Sequence, residues 1–509
     1  MQNIIPLFKV NMNNEIDKFI LPILTSGMIT QGKKVEEFEN KLKEYFNYPY
    51  ILTLNSATSG LTLAYRLLNL KIEDSVISTP LTCFATNAAI LANNLDIIWA
   101  DTDPNTCNID LNDVKNKLNK STRVLTFVHW GGIPVNLDKV EELKNYYKKI
   151  YNKELYIIED CAHAFGSEFG GKKLGTHGNI CVFSLQAIKH LTTGDGGLIF
   201  LPNKEMYDRA KLLRWFGIDR ERRSLPGSDF RLEPDIIDYG YKFHMNDINA
   251  SIGLANFINI ENNIKKCYQN GEYYNQTLKN IVGIELFNEN NKNKPSYWIY
   301  TIKILNGRKN EFIEYMKNKG IIISQVHARN DNHSCLSKYK SVLENLDNIE
   351  EKIISIPVGW WLSNYDLEHI VKCTKDFSEK SYITTLKIED INKYIDLLHE
   401  MNGFKENLHS TNFNFNSVYL LKIKNDIIST ARLNIENKLY DSVGHIEDVV
   451  TKKEFRGNGY GKKLIKYIID KGLNEYLCYK LVLNCEISLN SFYEKCGMVK
   501  TGSSFSIYK

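Results

Sequence analysis

The sequence predicts an α/β protein: a predominantly parallel sheet covered by helices, followed by a separate, smaller α+β domain. Three observations carry this. Short apolar strands alternate with amphipathic helical stretches from about residue 50 to residue 200, the order that a parallel sheet with crossover helices requires. Small, hydroxyl and acidic residues collect just after the strands, where such a sheet binds its ligands. Near Thr374–Lys380 the composition turns polar and a second set of strands and helices begins. The chain has 509 residues, more than one hydrophobic core supports, and the two domains read as residues 1–376 and 381–509.

Taken in order, residues 12–46 read as helix interrupted by the Gly27–Gly32 turn, with Val35, Phe38, Leu42 and Phe46 at helical spacing. Tyr50–Leu54 is a strand. Asn55-Ser-Ala-Thr-Ser-Gly60 then opens the helix Leu61–Leu68. Its hydroxyls suit an N-cap or, with the unpaired N–H groups and the helix dipole, an anion site. Strands Ser75–Ser78, Ile97–Ala100, Thr122–His129 and Leu155–Ile158 alternate with helices Thr82–Leu91, Leu111–Leu118 and Leu137–Tyr147. Beyond Phe200 come a helix Lys204–Trp215, an Arg-rich loop Arg220–Arg231, and one long helix from Ile248 to about Leu278. Strand Tyr297–Ile304, helix Lys309–Lys317, strand Ile321–Val326 and helix Tyr365–Phe377 complete the first domain.

The second domain reads as strand Tyr382–Leu386, helix Glu389–Met401 and a hairpin, Val418–Ile423 into Ile427–Leu433. Strand His445–Val450, helix Lys462–Gly472, strand Leu481–Cys485, helix Leu489–Lys495 and a final strand Val499–Ile507 follow.

Composition narrows the function. A net charge of +4 is small for this length and argues against a nucleic-acid surface. The 10 cysteines form no CxxC pair and no His/Cys ligand spacing, so no metal site is expected and reduced thiols in a cytoplasmic setting fit. The N-terminus lacks a basic segment followed by a long apolar core, and no apolar run is long enough to span a membrane.

The chemistry concentrates between Ile157 and Gly197. An acid pair, Glu159-Asp160, ends one apolar strand, and Lys189 stands between the next strand and the glycine cluster at Gly194-Asp-Gly-Gly197. An Asp at a strand end and a Lys one strand later suit a pyridine-aldehyde cofactor, pyridoxal phosphate (PLP): the carboxylate keeps the ring nitrogen protonated and the amine condenses with the aldehyde. Glu159, adjacent to Asp160, points to the other face of the strand.

These motifs give the resemblance. Glu159-Asp160-Cys-Ala-His163-Ala, Gly170-Gly-Lys-Lys-Leu-Gly175, Phe183-Ser184, Lys189 and Gly194–Gly197, with Thr53–Ala64, Asp101–Pro104 and Val128–Pro134 upstream, resemble the DegT/DnrJ/EryC1/StrS sugar aminotransferases. The resemblance implies an aspartate-aminotransferase-like (type I) PLP fold. It implies that Lys189 is the Schiff-base lysine, Asp160 the pyridinium partner and His163 the contact to the phenolic oxygen. Ala57, Thr58 and Ser184 match the phosphate cradle, and Phe84 the aromatic that stacks on the ring. Lys242 matches a residue that reaches the phosphate of a neighbouring subunit, which implies a homodimer. Members that dehydrate have histidine at the Lys189 position, so the lysine favours transamination. His327-Ala-Arg-Asn-Asp331 and Pro357-Val-Gly-Trp-Trp361 depart from the family's usual sugar-contacting segments.

In the second domain Arg456-Gly-Asn-Gly-Tyr-Gly461, between an apolar strand and an amphipathic helix, resembles the coenzyme A pyrophosphate turn of GNAT acetyltransferases. Gly457, Asn458, Gly459, Tyr460 and Gly461 would bring backbone N–H groups to the phosphates. With Gly444–Asp448, Cys478–Lys480 and Phe492–Gly497 the domain is similar to glucosamine-phosphate N-acetyltransferases. The resemblance places Glu447 and Asp448 at the acceptor amine, Val449 and Val450 on the strand that aligns acetyl-CoA, and Tyr493 at the departing thiolate.

Together the two resemblances imply a bifunctional enzyme. A nucleotide-linked 4-keto-6-deoxyhexose would accept nitrogen from L-glutamate, and acetyl-CoA would cap the amine. A GNAT domain acting on an unrelated amine, or a regulatory protein that senses PLP and acetyl-CoA, are the other readings of the same residues.

Overall fold

The computed structural model describes residues 4–220, 235–287, 292–399, 414–438, 441–501 and 504–508. The chain divides into two compact units, Met1–Asn280 with Ile284–Cys373, and Thr374–Lys509 with Ile281–Gly283.

The first unit is built on a seven-stranded sheet. Its strands are β1 (Ile51–Leu54), β2 (Ser75–Ser78), β3 (Asp96–Trp99), β4 (Thr122–Val128), β5 (Tyr156–Asp160), β6 (Ile180–Ser184) and β7 (Gly197–Phe200), in the order β1-β7-β6-β5-β4-β2-β3. Only β7 runs against the rest. Successive residues face opposite sides of the sheet, and both sides are apolar. Phe127, Ile157, Phe183 and Phe200 join a core with Val35, Phe38 and Phe46. Their neighbours Val128, Ile158, Val182 and Ile199 join a second core with Leu61, Tyr65 and Trp99.

The abundant asparagines have structural work here. Asn136, Asn203 and Asn246 are each the N-cap of a helix, and each accepts the N–H three residues on. Buried Asp247 accepts from the N–H groups of Gly32, Lys34 and Val35, so it caps the helix Lys33–Phe46 from far away in the sequence.

Two expectations in this unit are corrected. The single helix from Ile248 is two, Asp247–Phe257 and Ile260–Thr277. Asn259 sits at the break with φ −105° and ψ 5°, as befits a residue whose side chain competes with helical hydrogen bonding. The strand expected at Ile321–Val326 reduces to isolated bridges, Ile5–Ile321 and Ser324–Ser355, because the backbone turns left-handed at Val326. The Arg-rich loop lies outside the described residues beyond Arg220. A three-stranded sheet, β8 (Ile284–Leu286), β9 (Tyr300–Ile304) and β10 (Ile353–Ile356), completes the unit.

The second unit is a seven-stranded sheet of β11 (Tyr382–Thr385), β12 (Val418–Ile423), β13 (Asp426–Asn437), β14 (Ser442–Thr451), β15 (Lys480–Asn484), β16 (Val499–Thr501) and β17 (Ser504–Tyr508), ordered β11-β12-β13-β14-β15-β17-β16. The strand expected at Val499–Ile507 is a pair, β16 antiparallel to β17. Helix Tyr460–Asp470 buries Leu464, Ile465, Ile468 and Ile469, the i, i+1, i+4, i+5 stripe of a helix laid on a sheet. The helix expected at Glu389–Met401 is described over Ile391–Leu398.

Candidate active sites

In the first unit the register of the sheet assembles the site. Leu54, Gly197 and Ser184 form one cross-strand row, which brings the end of β1 level with Ser184. The turn after β1 leads into helix Ala57–Leu67, capped by the Ser56 hydroxyl accepting the Ser59 N–H at 3.1 Å. A Cβ on Gly197 would stand 2.5 Å from the Ala57 nitrogen, so glycine is what lets this turn settle on the sheet. Ala57 is half-buried and Thr58 exposed at the helix N-terminus, where the first N–H groups have no intrahelical partner.

Asp160 pairs with Val182 on one side and Val128 on the other and is buried. Its Oδ2 accepts from Thr86 Oγ1 at 2.7 Å and its Oδ1 from the Ala162 N–H at 3.0 Å. Thr86 Oγ1 also contacts Thr82 Oγ1 at 2.8 Å. Burial leaves the Asp160 carboxyl raised overall, because these two hydrogen bonds and the charge of Lys189 offset only part of it.

Lys189 is partly buried, with Nζ 3.2 Å from the centroid of the Trp298 ring. Among the described residues its Nζ has no hydrogen-bond partner, while its backbone N–H donates to Gln186 O at 2.9 Å. Burial pushes the amine down to about 7, against the opposing pull of Asp160 and Cys83. A neutral amine is thus available near neutral pH, which a nucleophilic lysine requires.

The same shift makes a stability prediction. An unfolded lysine titrates near 10.5, so between about 7 and that value the folded state binds fewer protons and its stability rises with pH. Cofactor-free Lys189→Met protein is expected to melt above wild type at pH 7, with the gap closing as pH approaches 10. A gap independent of pH in paired thermal melts contradicts the shift.

His163 is buried and stacks on Trp298 at 4.0 Å between centroids. Its Nδ1 accepts the Gly131 N–H at 3.4 Å and its Nε2 lies 3.3 Å from Nε2 of His327. Burial, then the charge of Lys189, holds both imidazoles below their usual range, His327 at about 4.

Phe84, expected over the cofactor ring, is 39% exposed and meets His333 edge-on at 5.4 Å. Its neighbour Cys83 is half-buried. Lys242 is exposed and lies over the Trp215 ring of its own chain at 5.5 Å, while its carbonyl accepts from Asn55 Nδ2 at 3.4 Å, beside the β1 turn.

Sequence reasoning missed Thr86 and Trp298. The Thr82-Cys-Phe-Ala-Thr86 segment was the usable signal, with Thr82 just before the helix Phe84–Ala92 and Thr86 in its first turn. Trp298 had none, because it reaches Lys189 from a distant segment.

On the other face of β5, buried Glu159 accepts from His129 Nε2 at 2.9 Å and Asn179 Nδ2 at 2.7 Å. His129, Glu159 and Cys161 offer ligand atoms within 4.8 Å of one another. However, His129 Nδ1 accepts the Val135 N–H at 2.9 Å, so the ring proton sits on Nε2 and points at Glu159. Burial raises Glu159, but the hydrogen bonds from His129 and Asn179 outweigh it and keep the carboxylate ionised. The cluster is a closed hydrogen-bonded set.

In the second unit β14 and β15 pair in parallel only from Val443–Lys480 to His445–Val482, and then part. Asp448 lies beyond that point at φ +50°, where β14 bulges against β13. The Asp448 carboxylate pairs with Arg432 at 3.0 Å, and Glu447 accepts from Asn434 at 2.7 Å. Val450 is buried, with its carbonyl accepting from Ser429 Oγ at 2.8 Å.

The glycine turn follows. Gly457 and Gly459 both have φ +83°, a region that favours glycine. Gly459 is the N-cap of helix Tyr460–Asp470. A Cβ on Gly461 would lie 3.1 Å from Thr451 Oγ1 and 3.3 Å from the Phe492 ring. Arg456 Nε donates to Thr451 O at 2.8 Å and Asn458 Nδ2 to Phe455 O at 3.3 Å. Tyr493, on helix Asn490–Lys495, is buried, and burial raises its phenol well above the usual range, keeping it protonated.

Residues 10–375 match the DegT/DnrJ/EryC1/StrS aminotransferase family. The chain belongs to that family. Residues 387–498 match the acetyltransferase (GNAT) family, and the second unit is a GNAT domain.

Among relatives of this DegT/DnrJ/EryC1/StrS protein, the UDP-4-amino-4,6-dideoxy-N-acetyl-beta-L-altrosamine transaminase of Campylobacter jejuni is 31% identical over 360 residues, covering 68% of this chain and 91% of its own. The crystal structure of AtS13 from Actinomadura melliaura is 40% identical with a TM-score of 0.71, covering 74% of this chain and 99% of that one. Sugar aminotransferase CalS13 from Micromonospora echinospora is 37% identical with a TM-score of 0.70, covering 73% and 99%.

The family is PLP-dependent, and a GNAT domain implies an acyl-CoA. The residues present fit PLP: an amine near neutrality, a buried carboxylate held by two donors, and a helix N-terminus level with Ser184. No helix among the described residues is long and apolar enough to cross a membrane.

Proposed function

We propose that the chain is a bifunctional nucleotide-sugar enzyme. Its first domain transaminates a nucleotide-linked 4-keto-6-deoxyhexose with L-glutamate, and its GNAT domain acetylates the new amine from acetyl-CoA. The observation that carries the first step is the amine of Lys189, poised near neutrality within the field of buried Asp160. Bound PLP supplies the aldehyde for this lysine and the electron sink for the reacting carbon. Lys189 Nζ then holds and returns the proton at that carbon. Asp160 holds the proton on the ring nitrogen, and the Ala57–Thr58 helix terminus with Ser184 takes the phosphate. His163 Nε2–H is a donor suited to the phenolic oxygen.

The relatives support the substrate class, since one is named as a transaminase of a UDP-linked amino sugar and another as a sugar aminotransferase. A homodimer is supported by the helix Ile16–Ser26, in which no residue is buried and Leu21 and Leu24 are exposed, with Met28 and Ile29 just beyond. Lys242, exposed beside Trp215, is then the residue offered to the neighbour's phosphate.

For the second step, the parting of β14 and β15 beside the glycine turn leaves a wedge whose backbone groups suit a pantetheine chain and a pyrophosphate. Tyr493 donates its proton to the departing thiolate, and Glu447 or Asp448 takes the proton of the attacking amine. Asp448 already neutralises Arg432, so Glu447 is the better placed of the two. An amino sugar as acceptor is supported by the first domain, because transamination of a sugar makes one. Tyr493→Phe is expected to lower acetyl transfer about 10²-fold, with acetyl-CoA affinity unchanged. Full activity in a coupled thiol assay contradicts the assignment.

Incubation with a panel of keto-sugar nucleotides, glutamate and acetyl-CoA, with products read by mass, tests the whole reading. A product gaining first an amine and then an acetyl group is expected. Amination of no panel member overturns the first step, and amination without acetylation overturns the second.

A further inference from the structure

The two donors on Asp160 come from different elements. Ala162 lies two residues on, whereas Thr86, whose Oγ1 is 2.7 Å from Asp160 Oδ2, stands in the first turn of helix Phe84–Ala92. The positive end of that helix favours a carboxylate. As the carboxylate that a ring nitrogen needs, Asp160 only accepts, so the single Thr86 hydroxyl proton is committed to it. The contact of Thr82 Oγ1 with Thr86 Oγ1 at 2.8 Å then has one direction: Thr82 donates and Thr86 accepts. In such a chain each bond polarises the next, so Thr82 strengthens the donor that Asp160 receives.

The relay is buried and held from behind. Thr82, Thr86, Asn87 and Asn330 are all buried. Asn330 Nδ2 donates to Thr82 O at 2.9 Å, and Asn330 Oδ1 accepts from Asn87 Nδ2 at 2.8 Å. The Asn330 N–H donates to Pro80 O at 2.8 Å. Asn87 Oδ1 in turn accepts from Ser78 Oγ at 2.7 Å, at the end of β2. These bonds pin the turn from Pro80 to Thr82, and with it the Thr82 hydroxyl. Lys189, His129 and Tyr65 are the titratable groups that share a field with Asp160. Among the described residues none of their side chains hydrogen-bonds to it, which leaves Thr86 as its side-chain donor.

We propose that Thr86, supplied by Thr82, is a positioning residue for transamination: its hydroxyl fixes the Asp160 carboxylate and keeps the proton that it shares with the cofactor on the ring nitrogen. The proposal rests on the reading of Asp160 as the partner of that nitrogen. Two influences compete at the carboxyl. Burial favours its neutral form, and each donor favours the charged one. Without the Thr86 donor burial gains, and the shared proton moves toward Asp160. A ring that lacks this proton is a weaker electron sink, so Lys189 has a less acidic carbon to work on.

The test uses the cofactor-loaded full chain, and its main readout is the pH at which the visible absorption of the bound cofactor titrates. Thr86→Val replaces the hydroxyl with a methyl group of like shape, and Thr86→Ser keeps the hydroxyl. In Thr86→Val the titration is expected to move in the direction given by Asp160→Asn, but only part of the way, while Thr86→Ser titrates with wild type. Turnover should show kcat about tenfold lower in Thr86→Val, the worth of one hydrogen bond to a charge, with KM for the keto sugar unchanged. Added to Asp160→Asn, Thr86→Val should move the titration no further, because the charge it acts through is gone. Thr82→Val, which leaves Thr86 unsupplied, should give a smaller shift in the same direction, and it reads the relay even where Thr86→Val does not fold. A purely structural threonine would alter thermal stability and leave the titration in place. An unmoved titration in either valine variant, beside a moved one in Asp160→Asn, overturns the inference alone, as does a full Thr86→Val shift in the Asp160→Asn background. An unmoved titration in Asp160→Asn overturns the inference and the reading of Asp160 together.

Discussion

Lys189→Ala protein is expected to lose aminotransferase turnover by roughly 10⁴-fold or more, because one side chain both anchors the cofactor and moves the proton. Borohydride reduction of wild type followed by peptide mapping should place a pyridoxyl adduct on Lys189 and on no other lysine. Many lysines among the described residues lie exposed. Lys189 differs in its surroundings: burial brings its amine down to about 7, and its Nζ lies 3.2 Å from the centroid of the Trp298 ring. Lys189→Arg is the sharper control. It keeps the positive charge over Trp298, yet a guanidinium is never neutral and cannot condense, so it should be as inactive as the alanine variant. Acetyl transfer by the GNAT domain to an amino-sugar nucleotide supplied directly should survive both changes. An adduct elsewhere, or turnover surviving in Lys189→Arg, would sink the assignment.

Asp160→Asn should cost about 10²–10³-fold in the same assay, with the protein still folded. The amide is isosteric and its hydrogen bonds can be met. Its oxygen can keep the Ala162 N–H, and its NH₂ can face Thr86, whose hydroxyl then accepts. What is lost is the negative charge that keeps the cofactor's ring nitrogen protonated. The visible absorption of the bound cofactor should therefore titrate at a different pH from wild type, a readout that does not depend on turnover. A variant with normal kcat and an unmoved titration would show that Asp160 does not meet the ring.

Much of this molecule was legible before folding. Strand and helix alternation through residue 200 came out within a few residues, because buried strands and amphipathic helices carry periods that a sequence displays directly. The long helix beginning at Ile248 did not, since apolar spacing runs on across its break at Asn259. Ile321–Val326 looks like a strand by composition. It is not one, because β-propensity measures fit to neighbours, and here the neighbours impose a turn with φ +72° at Val326.

The sequence by itself determined the two-domain architecture and the residue types the chemistry needs: Asp160 at a strand end, Lys189 one strand on, and the glycine turn at Arg456–Gly461. These are local facts, set by spacing along one strand or one turn. Tertiary structure alone decided what surrounds them. Trp298, His327 and Gly131 come from segments far apart in the chain, and no periodicity records that they meet around Lys189. The near-neutral amine and the pairing of the His163 and His327 rings arise from that meeting, because desolvation is a property of neighbours in space.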